Sequence, residues 1–211
     1  MNSGFRLSLP AFALATMLLS GCLPKPATVS TRHFVLAPIL TNAPAAAAAE
    51  HLSVGIGFVT MPPYLLRDPI ALRKSSTEIE YLDDALWGER LDQSFRRAVA
   101  ADLSGLLSSD SIHLMNWASE RVAMTVSITV EQFDVDTHGR GTLRAQWRIT
   151  PSASGLPSRD GNVQLVRTAS PPRGNPEVIA ATLSQLTSEF SRELAQAICG
   201  LAMTNRSAND Q

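Results

Sequence analysis

Hydrophobic and polar positions change period along this chain, and each change predicts a new element. Leu52, Val54, Ile56 and Phe58 alternate with mostly small residues, the pattern of a half-buried strand. Met61-Pro62-Pro63-Tyr64 must end that strand, because two successive prolines cannot continue a ladder. Ile70–Arg73 and Glu78–Leu82 are placed to pair as a small hairpin around Lys74–Thr77. The spacing then turns helical. Trp87, Leu91, Phe95, Val99, Leu103 and Leu106 recur every three or four residues and form one stripe. Asp83 and Asp84 suit the amino end of this helix as caps and through the helix dipole. Glu89, Arg90, Asp92, Arg96, Arg97 and Asp102 lie between the stripe positions and predict a solvated face.

Period two then returns. Val122, Met124, Val126, Ile128 and Val130 share one strand face, opposed by Ala123, Thr125, Ser127, Thr129 and Glu131. Phe133 and Val135 fall out of phase, which predicts a β-bulge between Val130 and Phe133. His138-Gly139-Arg140-Gly141 reads as a turn, and Leu143, Ala145, Trp147 and Ile149 as the returning strand. After a Ser, Pro and Gly-rich loop over Ser152–Gly161, Val163–Arg167 makes a third strand, so the region reads as an antiparallel meander. Asn175 as N-cap and Pro176 in the first turn open a final helix with the stripe Ile179, Leu183, Leu186, Phe190, Leu194 and Ile198. Gly200 suits its stop, and Thr204–Gln211 reads as a frayed polar tail. Earlier, Arg32–Leu36 is a short strand candidate ended by Pro38, and Thr41–Glu50 is an alanine-rich connector. The predicted class is α+β: a two-layer domain, mainly antiparallel sheet with two amphipathic helices, behind a lipoprotein signal peptide.

That signal is read from the first residues. Arg6 and the amino terminus precede an apolar run, Leu7–Leu19, that is too short to span a bilayer and has the layout of a secretory signal. Leu19-Ser20-Gly21-Cys22 resembles the bacterial lipobox, in which the thiol takes a diacylglycerol and the chain is cut before it. Residues 1–21 are then the signal peptide, Cys22 the lipidated residue and 22–31, with Pro24 and Pro26, a short tether. Leu23 follows the cysteine where an Asp tends to retain such proteins at the inner membrane, so the resemblance implies the outer membrane, facing the periplasm. With Cys22 acylated, Cys199 has no partner for an internal disulfide and is expected as a buried small hydrophobe.

Composition changes this picture little. The 211 residues are 45% hydrophobic and 18% charged, enough for one core after processing, and the formal net charge of -1 argues against a nucleic-acid partner. No catalytic constellation is present in the sequence. There is no G-x-S-x-G, and Ser154 lies in the predicted loop. His33, His51, His113 and His138 are scattered without metal-ligand spacing, and Gly55 with Gly57 is only a fragment of a dinucleotide fingerprint. The expectation is a protein that is not an enzyme and that needs no cofactor or metal.

The chain from about Arg32 to about Leu201 resembles the ABC-type transport auxiliary lipoprotein family. The likeness is carried by Phe34–Pro38, Val54–Leu65, Glu80–Leu91, Val130–Phe133, Leu143–Trp147 and the closing helix Val178–Ile198. His33 and Leu66 depart from its pattern, and the alanine-rich connector interrupts it. Residues 32–203 are accordingly read as the family domain and 204–211 as a flexible tail. The resemblance implies a non-enzymatic outer-membrane lipoprotein of an MCE-type lipid transport system. Its partners would be an MCE-domain periplasmic conduit with its inner-membrane complex, and a second copy of itself is a further candidate. Two other roles fit the same features: assisting outer-membrane β-barrel assembly, or shuttling lipid in a sizeable apolar pocket. Tyr64 and Leu65 are candidate contacts on an exposed loop, with burial against the domain's own core as the competing reading. Ser127 and Arg144 are candidate contacts on the polar meander face, which is otherwise a solvated sheet surface.

Overall fold

The computed structural model describes residues 30–39, 52–109, 111–114, 122–153 and 155–209. The signal segment, Cys22 with the tether as far as position 29, the connector 41–50, His51 and Ser154 lie outside the described residues. The elements run β1 Arg32–Phe34, β2 Val54–Thr60, β3 Pro69–Arg73, β4 Ile79–Trp87, α1 Leu91–Leu107, β5 Ile112–Leu114, β6 Met124–Asp136, β7 Arg140–Pro151, β8 Arg159–Thr168 and α2 Pro176–Asn209. A 3-10 turn, Pro63–Leu66, stands between β2 and β3.

All the described strands join one mixed sheet with β6 as its spine. β7 follows β6 antiparallel along its length, and β8 follows β7. The other side of β6 is shared by two parallel partners. β2 takes its amino half and β3 its carboxyl end. β4 and then β1 extend the sheet from β3, and β5 pairs with β2. The meander and the β3–β4 hairpin are thus antiparallel as expected, while the crossovers add parallel pairings that period alone does not reveal.

Met124, Val126, Ile128 and Val130 are buried, and so are Phe133 and Val135 on the other phase. The register shift between Val130 and Gln132 reconciles the two sets, so the expected bulge is present. At the centre, the Phe95 ring of α1 meets Phe133 of β6 edge-on at 5.2 Å and Phe190 of α2 at 5.7 Å, tying sheet and both helices together. Asn175 Oδ1 accepts from the Glu177 amide and caps α2 as predicted. Gly139 sits at φ 86° in the β6–β7 turn, where its missing Cβ also lets the Ala169 carbonyl approach. Cys199 is buried on α2, and burial pushes its thiol pKa up.

Several expectations are corrected. Asp83 and Asp84 do not cap α1; they belong to β4, which continues to a buried Trp87. Ladder bonds from two neighbours win there over capping: β1 pairs with Ala85–Trp87, and the Trp87 amide donates to the Asp68 carbonyl at 2.7 Å. α1 starts instead at Leu91, after Arg90. Its charged positions are not all solvated, since Arg96 and Asp102 are 8% and 3% exposed. Phe58 does not join the core face; a register shift between Ile56 and Val59 turns it outward. Gly200 does not stop α2, because Leu201 and Ala202 remain buried and packing carries the helix on to Asn209, into the stretch read as a tail. β1 ends at Phe34, so Leu36 is buried outside the ladder.

Candidate partner-contact surfaces

The loop bearing Tyr64 is built by its prolines. Pro62 and Pro63 hold the backbone for one 3-10 turn, closed by the Leu65 amide donating to the Pro62 carbonyl at 3.0 Å. Leu65 is 3% exposed and belongs to the core, the burial that stood against its reading as a surface contact. Tyr64 is half-buried, and its hydroxyl donates to Asp134 Oδ2 at 2.8 Å. Arg73 closes on the same carboxylate, Nε to Oδ1 at 2.8 Å and Nη2 to Oδ2 at 2.5 Å, and also donates to the Tyr64 hydroxyl at 3.2 Å. Gln132 Nε2 supplies a further bond to Oδ1 at 2.9 Å. The Tyr81 hydroxyl donates to the Tyr64 carbonyl at 3.1 Å and fixes the turn from the other side. Burial first, then the nearby Asp134 charge, raises the Tyr64 pKa. The hydrogen bond to Asp134 raises that of Arg73. This cluster locks the loop to β3 and β6 and leaves Pro63 as its exposed residue.

Ser127 and Arg144 are exposed, on the polar face of the meander as expected. They are not opposite each other: Ser127 faces Arg148 and Arg144 faces Gln132 across the ladder. Around Ser127 this face forms a shallow concavity of about 620 Å³, with Thr129, Gln146, Arg148, Asp160 and Asn162 in its lining. Its charges are largely satisfied at home. Arg148 Nε donates to Asp160 Oδ1 at 2.6 Å, and Gln146 Nε2 to Glu131 Oε1 at 2.7 Å.

A third surface escaped sequence reasoning. Phe58 is 71% exposed and Leu114 37%, and together with Glu89, Arg90, Gln93 and Arg97 they line a groove of about 520 Å³. The buried Arg96 guanidinium lies 5.1 Å from the Phe58 ring and donates to the Ile56 carbonyl at 2.9 and 3.1 Å. The phase change from Ile56 to Val59 was the available signal. Among the described residues, His33, His113 and His138 are exposed, and no group of three or more metal-ligating side chains gathers.

The geometry therefore defines a two-layer α+β domain that presents a polar meander face and a groove around Phe58. Residues 34–195 match the model of the ABC-type transport auxiliary lipoprotein component family, and the chain belongs to that family. It is 21% identical over 190 residues to the intermembrane transport lipoprotein PqiC of Escherichia coli strain K12, covering 86% of this chain and 94% of that one. The PqiC of Shigella flexneri matches equally. The fold is shared with protein XCC0632 of Xanthomonas campestris, at a TM-score of 0.67 and 14% identity over 84% of this chain and 99% of that one. It is also shared with a crystal structure of an uncharacterized protein, at a TM-score of 0.62 and 20% identity over 80% and 99% of the two chains. No helix among the described residues is long and apolar enough to cross a membrane.

Proposed function

We propose that this chain is a non-enzymatic outer-membrane lipoprotein of an MCE-type intermembrane lipid transport system. Lipid on Cys22 holds it at the periplasmic face, where it docks the conduit that runs from an inner-membrane complex and so supports membrane integrity. The observation that carries this reading is the match to an intermembrane transport lipoprotein over nearly its whole length, in a chain that opens with a lipobox. The physical logic agrees with it. Lipid crosses an aqueous compartment poorly without an apolar path, and the exit end of such a path must be held against the membrane. Two acyl chains anchor a protein stably where one does so marginally. Both concavities carry charged side chains in their linings, which suits protein contact better than a lipid-filled cavity.

Site-specific photo-crosslinkers at Ser127, Arg144 and Pro63, with a barrier assay in a deletion strain, test the reading. The expected result is capture of an MCE-domain protein and a weakened barrier. Capture of only a β-barrel assembly component, with the barrier intact, would replace it with the assembly role. Cys22→Ser is expected to accumulate as an unprocessed precursor without acyl label; label that persists there would remove the anchor.

A further inference from the structure

The chain that follows β1 is stitched to the helices by side-chain hydroxyls rather than by a ladder. The Leu36 amide donates to Ser94 Oγ of α1 at 3.1 Å, and the Ala37 amide donates to Ser184 Oγ of α2 at 3.1 Å. Ser188 Oγ of α2 then donates to the Ile39 carbonyl at 3.3 Å. The Leu36 side chain, fully buried, pins the segment from within. Upstream, the three-residue β1 pairs with β4, the Gly88 amide donates to the Phe34 carbonyl at 2.7 Å, and Arg32 pairs with Glu177 of α2 at 3.3 Å in an exposed position. Residues 32–39 thus form an arm held at its far end by one apolar plug and three hydroxyl bonds, and at its near end by a minimal strand and an exposed ion pair.

Beneath the end of this arm lies Asp102 of α1. It is 3% exposed, and neither carboxyl oxygen has a hydrogen-bond partner. The adjacent hydroxyls are turned elsewhere: Ser188 Oγ to Ile39, and Ser191 Oγ to the Thr187 carbonyl at 2.9 Å. A buried carboxylate without partners is costly, so such a site favours the neutral acid or an opening that lets water in. We infer that the arm 32–39 is a proton-controlled clasp, closed over α1 and α2 when Asp102 is neutral and loosened when Asp102 ionises.

Burial raises the Asp102 pKa to about 6, opposed in smaller measure by Ser191, the Ile39 backbone, Ser188 and the charge of Arg192. Arg192 on α2 is the charged group acting on it. The residues a turn away on its own helix, Ala98, Val99, Gly105 and Leu106, are uncharged, and the arm contributes none at Leu36–Ile39. In the open arm the carboxyl meets water and returns toward the ordinary carboxylate value. The closed form therefore holds the proton more tightly, and raising the pH through 6 favours opening.

The consequence for an anchored protein, which rests on the proposed lipid at Cys22, is reach. With the arm closed, Arg32 lies ten residues on from Cys22, a stretch that spans at most about 35 Å. With the arm open, residues 32–39 add to that length, and the 17 residues from Cys22 to Ile39 can span up to about 60 Å.

Amide hydrogen exchange on the full chain tests the clasp whether or not Cys22 carries lipid, so the two readings fail separately. Corrected for intrinsic rates, protection at residues 34–39 should fall by up to about tenfold between pH 5 and pH 7.5, while the amides of β7 hold steady. In Asp102→Asn, and in Asp102→Ser as a second neutral side chain, that fall should vanish with the β7 amides still protected. A fall of equal size in the two variants, or none in the natural chain, would overturn the proposal.

Discussion

Two aspartates on neighbouring elements are buried to the same degree and treated in opposite ways. Asp134, 2% exposed on β6, accepts from Arg73 through both oxygens, from the Tyr64 hydroxyl and from Gln132. Asp102, 3% exposed on α1, has no donor in hydrogen-bonding geometry and only weak polar help from Ser191, the Ile39 backbone and Ser188. A buried carboxylate is tolerated as an ion where a guanidinium and further donors replace its water, and otherwise is better off holding a proton. The first arrangement fastens the 3-10 turn to the sheet. The second leaves an energetic fault under the end of a segment that side-chain hydroxyls, rather than a ladder, fasten there. Where each lies decides what it does: one rigidifies a loop, and the other makes an arm conditional.

The same isosteric change at the two sites should act with opposite sign. Asp134→Asn replaces an acceptor by an amide that turns a donor toward Arg73, Tyr64 or Gln132, and it strips Arg73 of its counter-ion. It should destabilise the fold by about 3 kcal/mol at pH 7, read from urea unfolding. Asp102→Asn should stabilise by about 2 kcal/mol at pH 7.5. The folded pKa of Asp102, about 6, exceeds the unfolded value of 3.8. Its contribution is therefore fully present below the unfolded value and is lost as pH rises through 6, so the gain in the variant should vanish near pH 4. Equal signs at pH 7 would break the contrast.

Tyr64→Phe sharpens it. The variant keeps the ring and removes one donor to Asp134, leaving Arg73 and Gln132 in place. A cost of about 1 kcal/mol is expected in the same unfolding series, since the carboxylate remains paired. A loss as large as that of Asp134→Asn would mean that the tyrosine, rather than the guanidinium, holds the cluster together.

The contrast also marks what was readable in advance. The meander, its bulge, the β3–β4 hairpin and both helical stripes follow from period, because their partners are close in sequence and each exposes a regular face. Ser127 and Arg144 were placed on the right face for that reason. The Asp134 cluster was not readable, since Arg73 is 61 residues from its carboxylate and meets it only through a parallel crossover. Arg96 and Asp102 read as solvent positions because helical phase reports angle around the axis, not what a second helix or an arm later covers. In β2 and at Gly200, tertiary packing overrode local pattern: a register shift expels Phe58, and buried Leu201 and Ala202 extend α2.

Arg96 supplies a third buried charge, and Phe58→Ala probes one of its contacts. The guanidinium donates twice to the Ile56 carbonyl and lies 5.1 Å from the centre of the Phe58 ring. If the carbonyl and the ring share the task that Arg73 performs for Asp134, removing the ring withdraws only the weaker, π-face component. Phe58 is 71% exposed, so little apolar burial is lost with it. The expected cost is about 0.5 kcal/mol, the size of an exposed cation–π contact, and it should be nearly independent of pH between 5 and 8. Thermal unfolding of the variant beside Tyr64→Phe makes the measurement. A cost above that of Tyr64→Phe would show that the ring shields Arg96 from water and does more than a surface contact. A negligible cost would leave Phe58 free of any structural duty and make the crosslinking of its groove to a partner the next measurement.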